Sequence, residues 1–392
     1  MSQARPWVAY VGPFLFPEGE AASRRILGVA QSLVMSGRDV VVCSGNAGTP
    51  STLSVSGHPA LIRHVPLGDR PRSMRAHPLQ ALRTLVGWGR AATRWLEKQP
   101  TRPTHVIVYG GQASYALNVY RWCHRNHVAV IQDVVEWHEP AQFTGGRLNP
   151  GLWSSELAMR AIYPRSDGMI AISSFLRRTY EPHLGGRVTV VPPTTVALEP
   201  KARNAQRHAL RLAYAGSPGN KEILAPLVEA TIALADAGNA VQLRLAGIDA
   251  TTLAQISGQP AHDAVTALGR ISHEDVTSLV CDADFTVLLR NASRCTDAGF
   301  PTKFVESLAA GTPVIGNLTS DLATYLRDGE TGLVVSSTSR VAVEEALRRA
   351  LGLKPHEHAA MSLNASRSAR CNFDPSAYVR PLNDLLEGSS HG

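Results

Sequence analysis

No apolar run in this chain approaches the ~18–20 consecutive residues needed to cross a bilayer, so no membrane-spanning helix is expected. Five cysteines (Cys43, Cys123, Cys281, Cys295 and Cys371) are scattered without a CxxC pair. That pattern argues against a disulfide framework or a zinc ribbon and fits a reducing compartment. The opening stretch MSQARPWVAYVGPFLF meets proline and glycine before a signal-type apolar segment can build, so export by that route is not expected. Charge is sparse at 18% and aromatic side chains sparser at 6%, while apolar residues make up 44%. This is the balance of a globular protein and excludes a disordered one.

What charge there is lies unevenly. Residues 1–195 hold 21 Lys and Arg against 11 Asp and Glu, a net +10; the remainder holds 18 against 21, a net −3. A basic first half suggests an anionic partner there: a phosphorylated substrate, a membrane surface or nucleic acid. A chain of 392 residues exceeds one hydrophobic core, and two domains of roughly 150–200 residues are expected.

Short apolar runs alternate with helical stretches. Segments 7–12, 39–44, 104–111, 127–135, 167–173 and 187–193 read as strands too apolar to have a wetted face, with helices over 21–35, 77–98, 113–126, 153–163 and 174–181. Such strands belong in a parallel sheet covered on both faces, a doubly wound α/β arrangement. Alternation resumes after a polar stretch at 194–208. Strands are expected at 211–216, 241–247, 264–269, 284–289, 312–316 and 331–335, and helices at 222–236, 273–281, 302–310, 339–351 and 356–369. The expected division is a first domain over 1–195, a second over 196–373, and a final helix over 374–392 that closes the second domain or crosses back to the first. Two such α/β domains would leave a cleft at the carboxyl edges of their sheets, where these folds bind ligands.

The most informative segment is DAGFPTKFVESLAAGTPVIGN, 297–317. Gly299 and Pro301 mark a loop, Thr302 is placed to cap a helix, and Phe304, Val305 and Leu308 form its buried side. Backbone amides of the 299–303 turn and the helix dipole favour an anion. Lys303 adds a full charge, and Glu306 is placed to accept two hydrogen bonds from a vicinal diol such as a ribose. The competing reading is a solvated helix with a Lys303–Glu306 pair.

This segment, followed by DLATYLRDGETGLVV, resembles the nucleotide-sugar-binding half of family 4 retaining glycosyltransferases of GT-B architecture, bacterial surface-polysaccharide or metabolite type. The resemblance extends to VGPFLFPEGEAASRRILGVAQSLVMSGRDVVV, SDGMIAISSFLRRTY, RLAYAGSPGNKEIL and VTALGRISHEDVTSLVCDADFTVLL. It implies two Rossmann-like domains facing a central cleft, the first for the acceptor and the second for the nucleotide sugar. It places Glu306 on the donor ribose and Lys221 on the diphosphate. The family's first glutamate falls at Ala298, so sugar contacts would pass to the backbone amides of Gly299 and Phe300. The usual diphosphate arginine has no counterpart in Ser217-Pro218-Gly219, and Arg294 or Lys303 would restore its charge. Gly299, Phe300, Pro301, Thr302, Lys303, Glu306, Ser217 and Ile271 make up the candidate donor site. Related enzymes place an acidic or His-Asp element near the reacting sugar, and in IQDVVEWHEP the matching residues are Glu136 and His138, beside Asp133 and Glu139. Lys221, Arg294, Glu136 and His138 are the candidate catalytic residues.

After the first strand, Gly19 would let a backbone amide approach a phosphate or acceptor, with Arg24 and Arg25 opening the helix behind it. Both arginines also suit plain surface charge. The loop lacks GxGxxG and is no dinucleotide fingerprint. Arg83, Arg90, Arg94 and Lys98 share one face of the expected 77–98 helix with Trp88 and Trp95 nearby, a pattern that suits an anionic lipid surface or an ordinary wet helix face.

The expected activity is transfer of a sugar from a nucleotide diphosphate, UDP rather than GDP, to a hydroxyl of a saccharide, a lipid-linked saccharide or a small molecule. The resemblance implies retention without metal, and no DxD motif occupies a suitable strand-end loop. No cofactor beyond the nucleotide-sugar co-substrate is expected, and the place of action is cytoplasmic, at the inner face of the membrane where the acceptor is lipid-linked. A nucleotide-sugar epimerase or hydrolase shares the architecture. A nucleic-acid-binding protein, which the basic half would allow, lacks a reading helix, a stacking strip or a zinc finger, and no nucleic-acid partner is expected.

Overall fold

The computed structural model describes residues 5–19, 21–69, 87–110, 112–199, 208–217, 219, 221–258 and 261–389. Contacts divide the chain into two units, Met1–Thr194 with Pro375–Gly392, and Thr195–Asp374.

The first unit is built on strands β1 (Trp7–Val11), β2 (Asp39–Ser44), β3 (Ser51–Ser54), β4 (Leu61–Pro66), β5 (His105–Tyr109), β6 (Ala129–Val134), β7 (Gly168–Ala171) and β8 (Val188–Val190). They form one sheet in the order β3-β4-β2-β1-β5-β6-β7-β8, parallel throughout except for the antiparallel edge strand β3. Chain order reverses at β1, which lies between β2 and β5. That is the switch point where open α/β sheets bind ligands at their carboxyl edge. Strands β3 and β4 escape the sequence reading. β3 is nearly all exposed and β4 alternates exposed and buried, so neither shows the continuous apolar run of a covered strand.

Helices α1 (Ala21–Met35), α2 (Arg90–Glu97), α3 (Ala113–Arg125), α4 (Pro150–Leu157) and α5 (Ser174–Leu184) accompany the sheet. Of the long helix expected over 77–98, residues 77–86 lie outside the described residues; in the remainder Gly89 adopts φ 86° and α2 begins only after it. A Cβ on Gly89 would stand 3.0 Å from the Tyr115 carbonyl oxygen, so this turn suits glycine alone. Arg83 lies outside the described residues, and the basic stripe is carried by Arg90, Arg94 and Lys98. The helix expected over 153–163 begins earlier, where Asn149 accepts the Gly151 N–H at 2.7 Å and Pro150 takes the first turn. It ends in a π turn, Ala158–Ile162, and a 3-10 turn, Tyr163–Arg165, that contains Pro164.

A C-terminal helix, Val379–Ser389, completes the core of the first unit. Its Leu382, Leu385 and Leu386 pack with Ile107, Ile131 and Ile170. Its end fits because residue 168 is glycine, where a Cβ would meet Ser389 Oγ at 2.6 Å. The His105 ring and the Leu386 carbonyl share a hydrogen bond of 2.8 Å.

The second unit holds β9 (Leu210–Ala215), β10 (Val241–Ala246), β11 (Val265–Gly269), β12 (Phe285–Leu288), β13 (Val314–Gly316) and β14 (Gly332–Val334). All are parallel, in the order β11-β10-β9-β12-β13-β14. The helices are α6 (Ala225–Asp236), α7 (Ala250–Ser257), α8 (His273–Asp282), α9 (Arg294–Ala298), α10 (Thr302–Ala309), α11 (Leu322–Tyr325), α12 (Arg340–Gly352) and α13 (Pro355–Asn372). Leu227 and Val228 of α6 and Val343 and Leu347 of α12 pack on Leu212, Leu243, Phe285 and Ile315 of the sheet. The helix expected from residue 222 starts at 225 because 221–223 run extended beside 289–291. The Ile223 N–H donates to Leu289 O at 2.9 Å, and the Asn291 N–H donates to Lys221 O at 3.2 Å. Two parallel-sheet, Rossmann-like domains are therefore present. Among the described residues no helix is long and apolar enough to cross a membrane.

Candidate active site

In the second unit, β9, β12 and β13 end at one edge, and the segments that follow them carry most of the candidate residues. Lys303, in the first turn of α10, reaches across Gly216. A Cβ at that glycine, whose φ is +135°, would stand 2.4 Å from Lys303 Cε. The ammonium donates to the Tyr214 hydroxyl at 2.9 Å and lies 4.5 Å from that ring's centroid. It also pairs with Glu222, which accepts from the Tyr214 hydroxyl as well. Burial pushes the Lys303 pKa down while Glu222 pulls it up. Burial, then Glu222, drives the Tyr214 phenol up. The full free charge expected of Lys303 is thus largely matched by a carboxylate.

Arg290 lies two residues past the end of β12 and is 4% exposed. Its backbone is clamped by Asn317, whose Oδ1 accepts the Arg290 N–H at 2.8 Å and whose Nδ2 donates to the Arg290 carbonyl at 2.9 Å. Arg290 also lies close enough to Lys303 to lower that lysine's pKa further. Lys221 is brought to the same edge by the 221–223 strip, in which Glu222 lies opposite Arg290 and the Lys221 carbonyl accepts the Asn291 N–H. Arg294 opens α9 behind the Ser293 cap.

Glu306 lines a small cavity with Tyr214, Thr286 and Lys303, and its Oε1 is shielded from solvent. The loop before α10 is fixed from below, where Ser320 Oγ donates to the Gly299 carbonyl at 2.6 Å. Phe300 turns its ring into an aromatic cluster with Phe304, Tyr325 and Phe373, at centroid distances of 5.7–6.2 Å, so it offers a ligand its backbone only. Pro301, not Thr302, occupies the cap position: its extended backbone precedes the helix, and Thr302 is the first helical residue. Ala298 is fully buried. Ser217 is exposed beyond β9, and Ile271 packs into a satellite cluster with Ala215 and Val276.

In the first unit, Gly19 takes φ 116° in the exposed loop after β1, and Arg24 is exposed. Arg25 is not surface charge. It is 4% exposed, donates from Nη2 to Asp133 Oδ1 at 2.7 Å and from Nη1 to the Val191 carbonyl at 2.6 Å. The Tyr10 hydroxyl also binds Asp133. Asp133, fully buried and consumed by these partners, is closed to a ligand. Further along, Glu136 and His138 meet, with Oε1 3.2 Å from Nδ1, and Gln142 Nε2 donates to the same carboxylate at 3.0 Å. The His138 imidazole stays two-fifths exposed. Trp137 between them is anchored through Nε1 to Glu156 at 3.0 Å. The triplet Asp282-Ala283-Asp284 stands at the start of β12, where Asp284 accepts from the Arg211 N–H at 2.9 Å. Among the described residues no group of three His, Cys, Asp or Glu is gathered to hold a metal ion.

Two family models match, Glycosyltransferase Family 4 over residues 22–195 and Glycosyl transferases group 1 over 209–352, one for each sheet. The chain is a GT-B glycosyltransferase. Among solved structures the glycosyltransferase is similar to sucrose-phosphate synthase from Thermosynechococcus elongatus, at 17% identity and TM-score 0.75 over 98% of each chain. The catalytic domain of starch synthase IV from Arabidopsis thaliana, bound to ADP and acarbose, is similar at 12% identity and TM-score 0.69, over 99% of this chain and 100% of that one. Anabaena HepE in complex with UDP and glucose is similar at 12% identity and TM-score 0.65, over 97% and 99%. No curated protein sequence matches the glycosyltransferase.

Sequence reasoning missed Glu222, Tyr214, Arg290 and Asn317. Arg290 carries a local signal, a charged residue at the carboxyl end of a buried parallel strand. Tyr214 and Glu222 lie 89 and 81 positions from Lys303, and no local spacing reveals that network.

Proposed function

We propose that this glycosyltransferase moves a sugar from a nucleotide diphosphate, UDP in preference to GDP, onto an acceptor hydroxyl with retention of configuration and without a metal ion. The acceptor is a saccharide or lipid-linked saccharide of bacterial polysaccharide or glycolipid assembly. The observation that carries the reading is the edge of the second sheet. Glu222 pairs with Arg290 there, the adjoining Lys221 accepts the Asn291 N–H through its carbonyl, and Lys303 and Glu306 line one cavity.

A diphosphate leaving group gains negative charge as the glycosidic bond breaks. Fixed cations and amides placed where that charge develops lower the barrier without reorganising. Lys221, Arg290 and Arg294 take this role, with the Gly299–Phe300 backbone beside the sugar and Glu306 on the ribose diol. Lys303, held by Glu222, shapes the pocket and supplies a partly neutralised charge. Displacement then proceeds from the front face, the acceptor hydroxyl giving its proton to the departing phosphate. Glu136 and His138 in the first unit are assigned to the reacting sugar or acceptor, and Gly19 and Arg24 to the acceptor side. The net +10 of residues 1–195 supports an anionic acceptor or surface.

Thermal-shift titration with UDP, GDP and ADP sugars identifies the donor, because a ligand that binds only the native state raises apparent stability by mass action. The reading expects stabilisation by a UDP sugar. It also expects turnover only with an acceptor present, a retained anomeric signal by NMR and activity in excess chelator. Turnover of donor alone would move the assignment to an epimerase or hydrolase.

A further inference from the structure

A cavity of about 510 Å³ opens in the first unit, and none of the candidate site residues lines it. It lies between α3 and the turn of chain that continues α4, over the beginning of β6. Its floor is Val128, Val130 and Ile162, and its walls are Leu117, Leu157 and Ala161. Arg121, His124 and Arg165 stand around it with one acid, Asp167. Its volume falls within the ~300–1,000 Å³ typical of small-molecule sites. Glu136 and His138 follow the carboxyl end of β6, so this cavity sits at the opposite end of the strand.

Three observations give it a specific chemistry. The first is the wall itself. Leu157 is 52% exposed, and Trp153, one helical turn earlier on α4, is 67% exposed, so apolar surface runs out of the cavity along one helix face. The second is the backbone. Ala158–Ile162 is a π turn, a costly widening of a helix that occurs mostly at functional sites. It is held open by the Tyr180 hydroxyl, which donates to the Met159 carbonyl at 2.7 Å. The third is charge. Asp167 turns its carboxylate to the strand, accepting the Val130 N–H at 2.8 Å. Arg160 nearby is tied to Glu156 at 2.6 Å, whereas no ion pair among the described residues engages Arg121 or Arg165. An apolar slot whose rim carries two arginines against a single carboxylate matches a molecule with a hydrocarbon tail and an anionic head.

We infer that this cavity binds a single-chain anionic amphiphile, an alkyl or acyl phosphate, with the chain over Val128, Val130 and Ile162 and the phosphate on Arg121 and Arg165. The inference goes beyond the proposed transfer reaction and does not depend on it.

Calorimetric titration of the full-length protein with dodecyl phosphate, kept below its micelle concentration, tests it. Saturable one-to-one binding is expected. Dodecylphosphocholine, with the same chain and a zwitterionic head, is expected to bind at least about tenfold more weakly. Ala161→Trp, which fills the slot, and Leu157→Asp, on its exposed wall, are each expected to weaken dodecyl phosphate by about tenfold or more. The double variant Arg121→Glu/Arg165→Glu is expected to abolish the preference for the phosphate head. Absence of saturable binding, equal affinity for the two heads, or wild-type affinity in Leu157→Asp would overturn the inference. Because Leu157 is half exposed, that variant decides the matter even if Ala161→Trp fails to fold.

Discussion

Each unit carries a cluster of charges near the carboxyl ends of its parallel strands, and the two clusters differ in burial and in their balance of cations and acids. In the first unit Arg25 and Asp133 are 4% and 0% exposed, and every polar direction is filled by Tyr10, Val191 or each other. In the second, the side chains of Lys303 and Glu222 are 28% and 11% exposed. Arg290, Lys221 and Glu306 crowd the same edge without closing it. A cluster that satisfies itself completely is a fastener between β1, β6 and α1. One that stays partly open and has more cations than acids is a place for an anion.

The contrast can be broken by mutation, and the largest effect is expected on the closed cluster. Asp133→Ala strands a buried guanidinium and should cost ~3–5 kcal/mol of stability, whereas replacing both Arg25 and Asp133 by apolar residues should recover much of that. Denaturant unfolding reads both. A loss below ~1 kcal/mol for the single variant would mean the pair is solvated and no fastener. On the open side, Lys221→Ala should lower kcat about 10²-fold or more with a smaller change in KM, since the charge it meets grows in the transition state. Steady-state kinetics with the donor found by thermal shift check this. Glu306→Ala should weaken donor binding by ~1.5–3 kcal/mol, the worth of a hydrogen bond to a charged group, measured by calorimetry.

The finest test is pH. Burial lowers the Lys303 pKa and Glu222 raises it, so Glu222→Gln removes the upward pull and the lysine loses its proton at a lower pH than in the wild type. Donor affinity should then fall away earlier as pH rises and remain near wild type in mildly acidic buffer. An unchanged alkaline limb would show that Lys303 contributes no charge to the donor.

Local pattern and long-range pairing account for what could be read from the residues alone. Buried parallel strands such as Asp39–Ser44 and Ala129–Val134 announce themselves as apolar runs, and α1 matches its expected span, 21–35, to the residue. Strands β3 and β4 do not, because a sheet edge needs no second buried face. The turn at Gly89 was legible only as two glycines in a helical pattern, a weak signal against twenty residues of good periodicity. Within the sites, Glu306 and Lys303 stand out because they sit on one helix after a Gly-Pro loop. Their electrostatic setting does not, since Glu222 and Tyr214 come from other elements. The same holds for Arg25, whose partner Asp133 is 108 positions away. A charge opening a helix reads as solvated until the strand that neutralises it is in place.

The C-terminal helix carries a consequence for biosynthesis. Leu382, Leu385 and Leu386 belong to the core of the first unit, yet they follow the whole of Thr195–Asp374 in the chain. At ~5–20 residues per second of translation, the ribosome spends tens of seconds on the intervening unit while the first sheet waits with one patch of its apolar face uncovered. The first unit is thus the earlier begun and the later finished, and its nascent form exposes that patch until the last helix is made.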